Sequence, residues 1–213
     1  MALIILDKRI NSLLTKASYQ EVASFLLNEA TLRIGQYNYR LLEVEYYDIE
    51  DPYTHQDAIQ YTPARWYFHR KGGSYKGLDV TCQHGSFLLR AVKNLETSEI
   101  IEGPSLLVDL ILRGTGINNV NTLRDMYIHP GQKNSNLRLL GMAKREDPIL
   151  TCRRIGLRHQ DERNKFWQAR LRSLVSPELL KKGRKLLIED LREDGMSREE
   201  IISLVKCSPR SLI

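Results

Sequence analysis

Residues 40–47, Arg-Leu-Leu-Glu-Val-Glu-Tyr-Tyr, decide the fold class of this chain. Side chains alternate there with a period of two: Leu42, Val44 and Tyr46 fall on one side, Glu43, Glu45 and Tyr47 on the other. Successive side chains of an extended strand point to opposite faces. The stretch therefore predicts a strand with one apolar face and a second face that is charged and aromatic. The plain reading of that second face is a solvated edge strand.

Working outward, Val22, Phe25, Leu26 and Leu32 recur at helical spacing in residues 19–33, which predicts an amphipathic helix over at least the first part, broken by Gly35. Downstream, Asp51-Pro52 through Thr62-Pro63 read as a loop. Residues 78–82 and 86–92 are short strand candidates around His84-Gly85, which predicts an antiparallel hairpin. Gly103-Pro104-Ser105 predicts a helix over 106–112 with Ser105 as its cap, stopped by Gly114 and Gly116. Residues 132–148 are polar and weakly patterned, and residues 154–157 suggest one last short strand.

After Ser176-Pro177 the composition shifts to helix formers, with Leu179, Leu180, Leu186, Leu187 and Leu191 as an apolar stripe that Gly195 ends. Ser197-x-x-Glu200 is a capping box opening a helix over 197–206, and Ser208-Pro209 begins another. This order suggests a helix-turn-helix, whose second helix would read a major groove. The chain stops at Ile213 before the last helix has two turns, so packing against the body or a partner is the expected role. The expected fold class is α+β: a curved, mainly antiparallel sheet with flanking helices over residues 1–175, plus a helical C-terminal extension over 176–213.

The 213 residues are 42% hydrophobic and 27% charged, which fits a soluble globular chain and excludes disordered, collagen-like and membrane classes. The longest apolar run, Ala2 to Leu6, is too short for a membrane span or a signal sequence. Cys82, Cys152 and Cys207 show no CxxC spacing, so neither a disulfide framework nor a zinc knuckle is read. A reducing, intracellular compartment follows, cytoplasm or nucleoid or nucleus. Residues 151–213 hold 15 basic and 9 acidic side chains and residues 1–150 hold 17 of each, so the whole net charge of +6 is C-terminal. Such a surplus points to a polyanion, most often nucleic acid, with a solvated helix surface as the plain alternative.

Glu45 and Tyr47 on one strand face, His55 in the following loop and Arg90 on a later strand together suit activation of a water and retention of a planar base. His69, Asp79 and His84 lack metal-ligand spacing. Gly72-Gly73 lacks the context of a phosphate loop, and no cofactor is expected.

Seven segments then fall in the order seen in the alkyladenine (3-methyladenine) DNA glycosylases. They are Val22-Ala23-x-x-Leu26-Leu27, Glu43-Val44-Glu45-Tyr46-Tyr47, Thr54-His55, Thr62-Pro63, Leu88-Leu89-Arg90-Ala91, Gly103-Pro104-Ser105-x-Leu107 and Arg154-Ile155-Gly156-Leu157. The chain resembles that family from about residue 20 to 172. The resemblance implies a sheet like that of the formyltransferase C-terminal domain. It also implies a base-excision repair hydrolase that cleaves the N-glycosidic bond of an alkylated or deaminated purine in DNA. Glu45 and Arg90 would be catalytic, Glu45 as the base that deprotonates a water and Arg90 as the group that positions the water or the phosphate.

Tyr47 and His55 would line the base pocket, with Tyr67 or His69 standing in for a second stacking ring. Asp79 falls where the family has a pocket asparagine, which adds a charge near Glu45 and would either raise the pKa of one of the two carboxyls or make the pocket prefer a donor-rich base. Arg153, Arg154, Arg158 and Lys165 would contact the nucleic-acid backbone. The family's tyrosine-rich wedge hairpin is shortened to residues 66–75, which favours an unstacked, damaged or single-stranded DNA substrate, or no catalysis at all; a monomer is expected. Two further readings are a catalytically inactive nucleic-acid binder on the same fold and a pocket for a free nucleoside or other small molecule.

Overall fold

The computed structural model describes residues 6–69, 75–157 and 165–207. Helix α1 (Lys8–Lys16) starts at Asp7, whose carboxylate accepts the N–H groups of Arg9 and Ile10. Helix α2 (Tyr19–Ser24) opens on a Ser18/Glu21 capping box and continues as a π-helical turn, Phe25–Glu29. The predicted helix ends there. Strand β1 (Ala30–Ile34) follows, because Leu32 at helical spacing also fits the alternating pattern that pairs with β2 (Tyr37–Asp48). Gly35 is accordingly the hairpin turn, at φ +59°, and a Cβ there would lie 2.2 Å from the Gly114 carbonyl oxygen.

A 3-10 turn, Ala58–Tyr61, leads into β3 (Trp66–Phe68), β4 (Leu78–Cys82) and β5 (Gly85–Asn94). The predicted hairpin of 78–82 with 86–92 is the β4–β5 pair. Strand β6 (Ile100–Glu102) enters α3 (Pro104–Thr115), then α4 (Val120–Met126) and β7 (Leu137–Gly141). In α3, Gly103 and Pro104 hold the N-terminus, whereas Ser105 sits inside the first turn and bonds Lys76. Strand β7 lies within the segment that shows little pattern, since only five residues alternate there.

Strand β8 (Leu150–Cys152), α5 (Lys165–Gln168) and β9 (Arg172–Leu174) follow. Residues 154–157 are therefore a turn rather than the predicted strand, with Gly156 at φ +79°. The last elements are a 3-10 turn, Pro177–Leu179, helix α6 (Arg184–Glu193) and helix α7 (Arg198–Val205), which has the expected Ser197/Glu200 capping box. The expected start at Ser208-Pro209 lies outside the described residues.

The architecture is α+β. The strands form one curled antiparallel sheet, β3-β4-β5-β2-β1-β7, with β6 on β5, and β9 carrying β8 on β2. Strand β2 is thus central, and both of its faces are covered. The α6–α7 pair packs on the body: Leu187, Ile188, Leu191, Ile201 and Val205 join the same hydrophobic cluster as Leu41, Val44 and Leu89. Buried Asp190 accepts the Arg153 backbone N–H at 2.6 Å and pairs with its side chain. No helix among the described residues is long and apolar enough to cross a membrane.

Candidate functional site

Register assembles the site. Tyr67 of β3 opposes Asp79 of β4, Asp79 opposes Leu88 of β5, Leu88 opposes Glu45 of β2, and Glu45 opposes Arg172 of β9. Directly opposed residues of antiparallel strands share a face, so five strands contribute one row. Two register shifts interrupt β2 against β5 between Leu41 and Val44, leaving Leu42 extra on one strand and Arg90 extra on the other. Bulges of this kind re-aim a side chain, and here Arg90 reaches both acids of β2.

Arg90 Nε donates to Glu43 Oε1 at 2.9 Å and Nη1 to Glu45 Oε2 at 3.1 Å. Arg172 Nε donates to the same Glu43 Oε1 at 2.7 Å. Glu43 and Glu45 are 1% and 0% exposed, which overturns the solvated-edge reading of that face. A lone carboxylate is not left in an apolar interior; two arginines balance these two. Arg172, 1% exposed, also donates to the carbonyls of Lys182 and Gly183 and so ties the start of the C-terminal extension to the site.

Glu45 Oε1 accepts the Ile155 backbone N–H at 2.7 Å, and Oε2 accepts the Tyr47 hydroxyl at 3.2 Å. Burial pushes the Glu45 carboxyl above its usual 4.5, opposed by Arg90 and the Ile155 N–H. Burial, reinforced by Glu45, raises Tyr47 well above 10, so its hydroxyl remains a donor. Burial works against the charge on Arg90, and Glu45 and Glu43 more than offset it.

Above this network opens a cleft of about 440 Å³ lined by Tyr47, His55, His69, Asp79 and Arg90, with Tyr53 and Tyr75 at its walls. Five of the expected site residues thus converge. Glu45 lies one hydrogen bond beneath, through the cleft-lining groups Tyr47, Arg90 and Ile155. Tyr67 does not line the cleft: it is 1% exposed and its hydroxyl sits 3.0 Å from His55 Nδ1, so it supports His55 instead of stacking on a base. Asp79 lines the cleft, but Oδ1 pairs with His69 Nε2 at 2.7 Å and Oδ2 accepts the Ser86 hydroxyl at 2.8 Å. Both of its oxygens are therefore already engaged within the wall of the cleft.

The His69 ring lies 4.5 Å from His55, 5.3 Å from Tyr67 and 6.0 Å from Tyr75, centroid to centroid. It reaches Asp79 by lying across Gly77, where a Cβ would meet Nδ1 at 2.4 Å. Gly77→Ala is therefore expected to displace the imidazole from Asp79. The overpacking should lower stability by about 1–3 kcal/mol in urea unfolding, and the His69 imidazole resonances should shift. An unchanged urea midpoint with unchanged resonances would show that the ring does not need this space.

Two backbone-contact expectations are corrected. Arg154 is 0% exposed in its side chain, 2.6 Å from Asp51 Oδ2, and its guanidinium lies 4.4 Å over the Tyr47 ring. It braces the pocket and has no route to a phosphate. Arg153 is held by Asp190, Glu189 and Glu193 of α6. Lys165 is exposed and stands 4.9 Å from the Phe166 ring centroid. Arg158 lies outside the described residues.

Tyr53, Tyr75, Gln60 and Lys182 line the cleft without having been singled out in the sequence. Tyr75 is 51% exposed beside His69, and only its place in the shortened 66–75 interval marks it. Lys182 arrives from the C-terminal extension and donates to the Glu102 carbonyl at 2.7 Å. A basic pair in a helical tail carries no sign of that position.

No family model matches the chain. It is similar to uncharacterized protein L759 of Acanthamoeba polyphaga mimivirus, 27% identical over 185 residues, which cover 73% of this chain and 85% of that protein.

Proposed function

We propose that the protein is a DNA N-glycosylase that hydrolyses the bond between sugar and a modified purine. The observation that carries this reading is Glu45: a buried carboxyl of raised pKa beneath a base-sized aromatic cleft, oriented by Arg90, Tyr47 and the Ile155 N–H. A water admitted beside Ile155 uses the second lone pair of Glu45 Oε1. Glu45 takes the proton, the water oxygen bonds to C1′, and the C1′–N9 electrons leave with a cationic or protonated base. Arg90 stays charged and fixes the carboxylate. Tyr47, whose ring is braced by Arg154, and His55 and His69 wall the extruded base.

Tyr75 at the rim is the ring available to fill the space the nucleotide vacates. Phosphate contact falls to Lys182 and Lys165, because Arg153 and Arg154 are occupied. The test is incubation with oligonucleotides, single- and double-stranded, that carry hypoxanthine, ethenoadenine or methylated purines. The expected product is an alkali-labile abasic site. Salt-sensitive retention of DNA with no base release from any substrate supports the inactive-binder reading instead.

A further inference from the structure

On the other side of the Ala58–Tyr61 turn lies a second cleft, of about 550 Å³. Gln60 of that turn lines the first cleft, and Ala58 and Ile59 line the second. The second is walled by Ile59, Trp66, Tyr127 and Ile128, and two guanidinium groups, Arg65 and Arg124, also line it.

Arg65 Nη1 is 3.2 Å from His129 Nε2, and His129 Nδ1 is 3.2 Å from the Ala64 carbonyl. A carbonyl only accepts, so Nδ1 carries the proton and Nε2 accepts from Arg65. Burial, reinforced by the Arg65 charge, holds His129 below 6.5, so the ring facing Arg65 is neutral at pH 7. Among the described residues no carboxylate balances Arg65. Arg124 meets Asp125, which also lines the cleft, through Nε at 3.2 Å, and that acid is 69% exposed. Trp66 is 2% exposed, and its indole Nε1–H has no acceptor among the described residues. Buried donors left unpaired are uncommon in native proteins.

Two guanidinium groups against one exposed carboxylate, Asp125, leave a positive balance around this apolar hollow. We infer that this cleft binds a small amphipathic oxyanion, a carboxylate or phosphate monoester carried on an aliphatic or aromatic body. Guanidinium groups match such oxygens in pairs, the apolar walls match the body, and the volume suits a small organic ligand. The inference is independent of the glycosylase reading.

Trp66 is its reporter. In a Trp167→Phe background the only remaining tryptophan is Trp66, and its fluorescence is titrated with phenyl phosphate, 4-phenylbutyrate, the neutral 4-phenylbutanol and inorganic phosphate. Saturable change with an amphipathic anion is expected, with the alcohol and inorganic phosphate each weaker by about tenfold or more. Arg124→Gln, on a partly exposed helix, should weaken the anion by about tenfold without altering the urea midpoint, and Glu45→Gln should leave the anion affinity unchanged. A response to only one of the two anions supports the site and names its headgroup. Equal binding of the alcohol, equal affinity in Arg124→Gln, or no saturable response to either anion overturns it.

Discussion

Glu45→Gln is expected to lower base release by about 10²- to 10⁴-fold, the range a positioned general base contributes, while DNA retention and folding are kept. Glutamine is nearly isosteric, but its single amide oxygen replaces only one of the two acceptors, that of Ile155 or that of Arg90 and Tyr47, so retained DNA binding is the control that separates lost proton transfer from a disturbed site. The pH profile adds an independent check. Glu45 must be ionised to act, and burial raises its carboxyl above the usual 4.5, so the acid limb of activity is expected above that value. Stability runs the opposite way. The contribution of a group with a raised pKa is complete below its unfolded value and is lost as pH rises through the folded one. Glu45→Gln has no such loss and should gain in urea midpoint over the parent protein as pH rises from 4.5. Release at the parent rate by the variant would remove Glu45 from the reaction.

Arg172→Met is expected to cost about 3–5 kcal/mol in urea unfolding, because it breaks a buried ion pair and removes one of the two cations that balance Glu43 and Glu45. It also leaves the carbonyls of Lys182 and Gly183 without the Arg172 donor, so the C-terminal extension should loosen and become more accessible to protease. Glu43→Gln added to Arg172→Met should cost much less than the sum of the two single changes, since the second removes the charge that the first exposed. Additive losses would show that the two groups are not coupled, and a cost below about 1 kcal/mol for Arg172→Met would show that the pair is dispensable.

The sequence by itself determined the class of fold and most of the names in the site. The period-two pattern of residues 40–47, the 78–82 and 86–92 hairpin and the Ser197/Glu200 capping box each report a local rule of backbone geometry, and each appears in the structure. Glu45, Tyr47, His55 and Arg90 were legible as chemistry from their residue types and placement, whereas His69 and Asp79 came only with the family resemblance.

Burial and pairing were not legible, because they depend on partners far along the chain. Glu43 and Glu45 read as solvated until β5 and β9 close on both edges of β2 and supply Arg90 and Arg172. Arg154 reads as a phosphate contact until Asp51 claims it. Helical spacing in residues 19–33 spills into β1 because one leucine satisfies both periods. Alternation tells which side chains share a face; only the packed sheet decides whether that face meets water, a counter-charge or an open cleft.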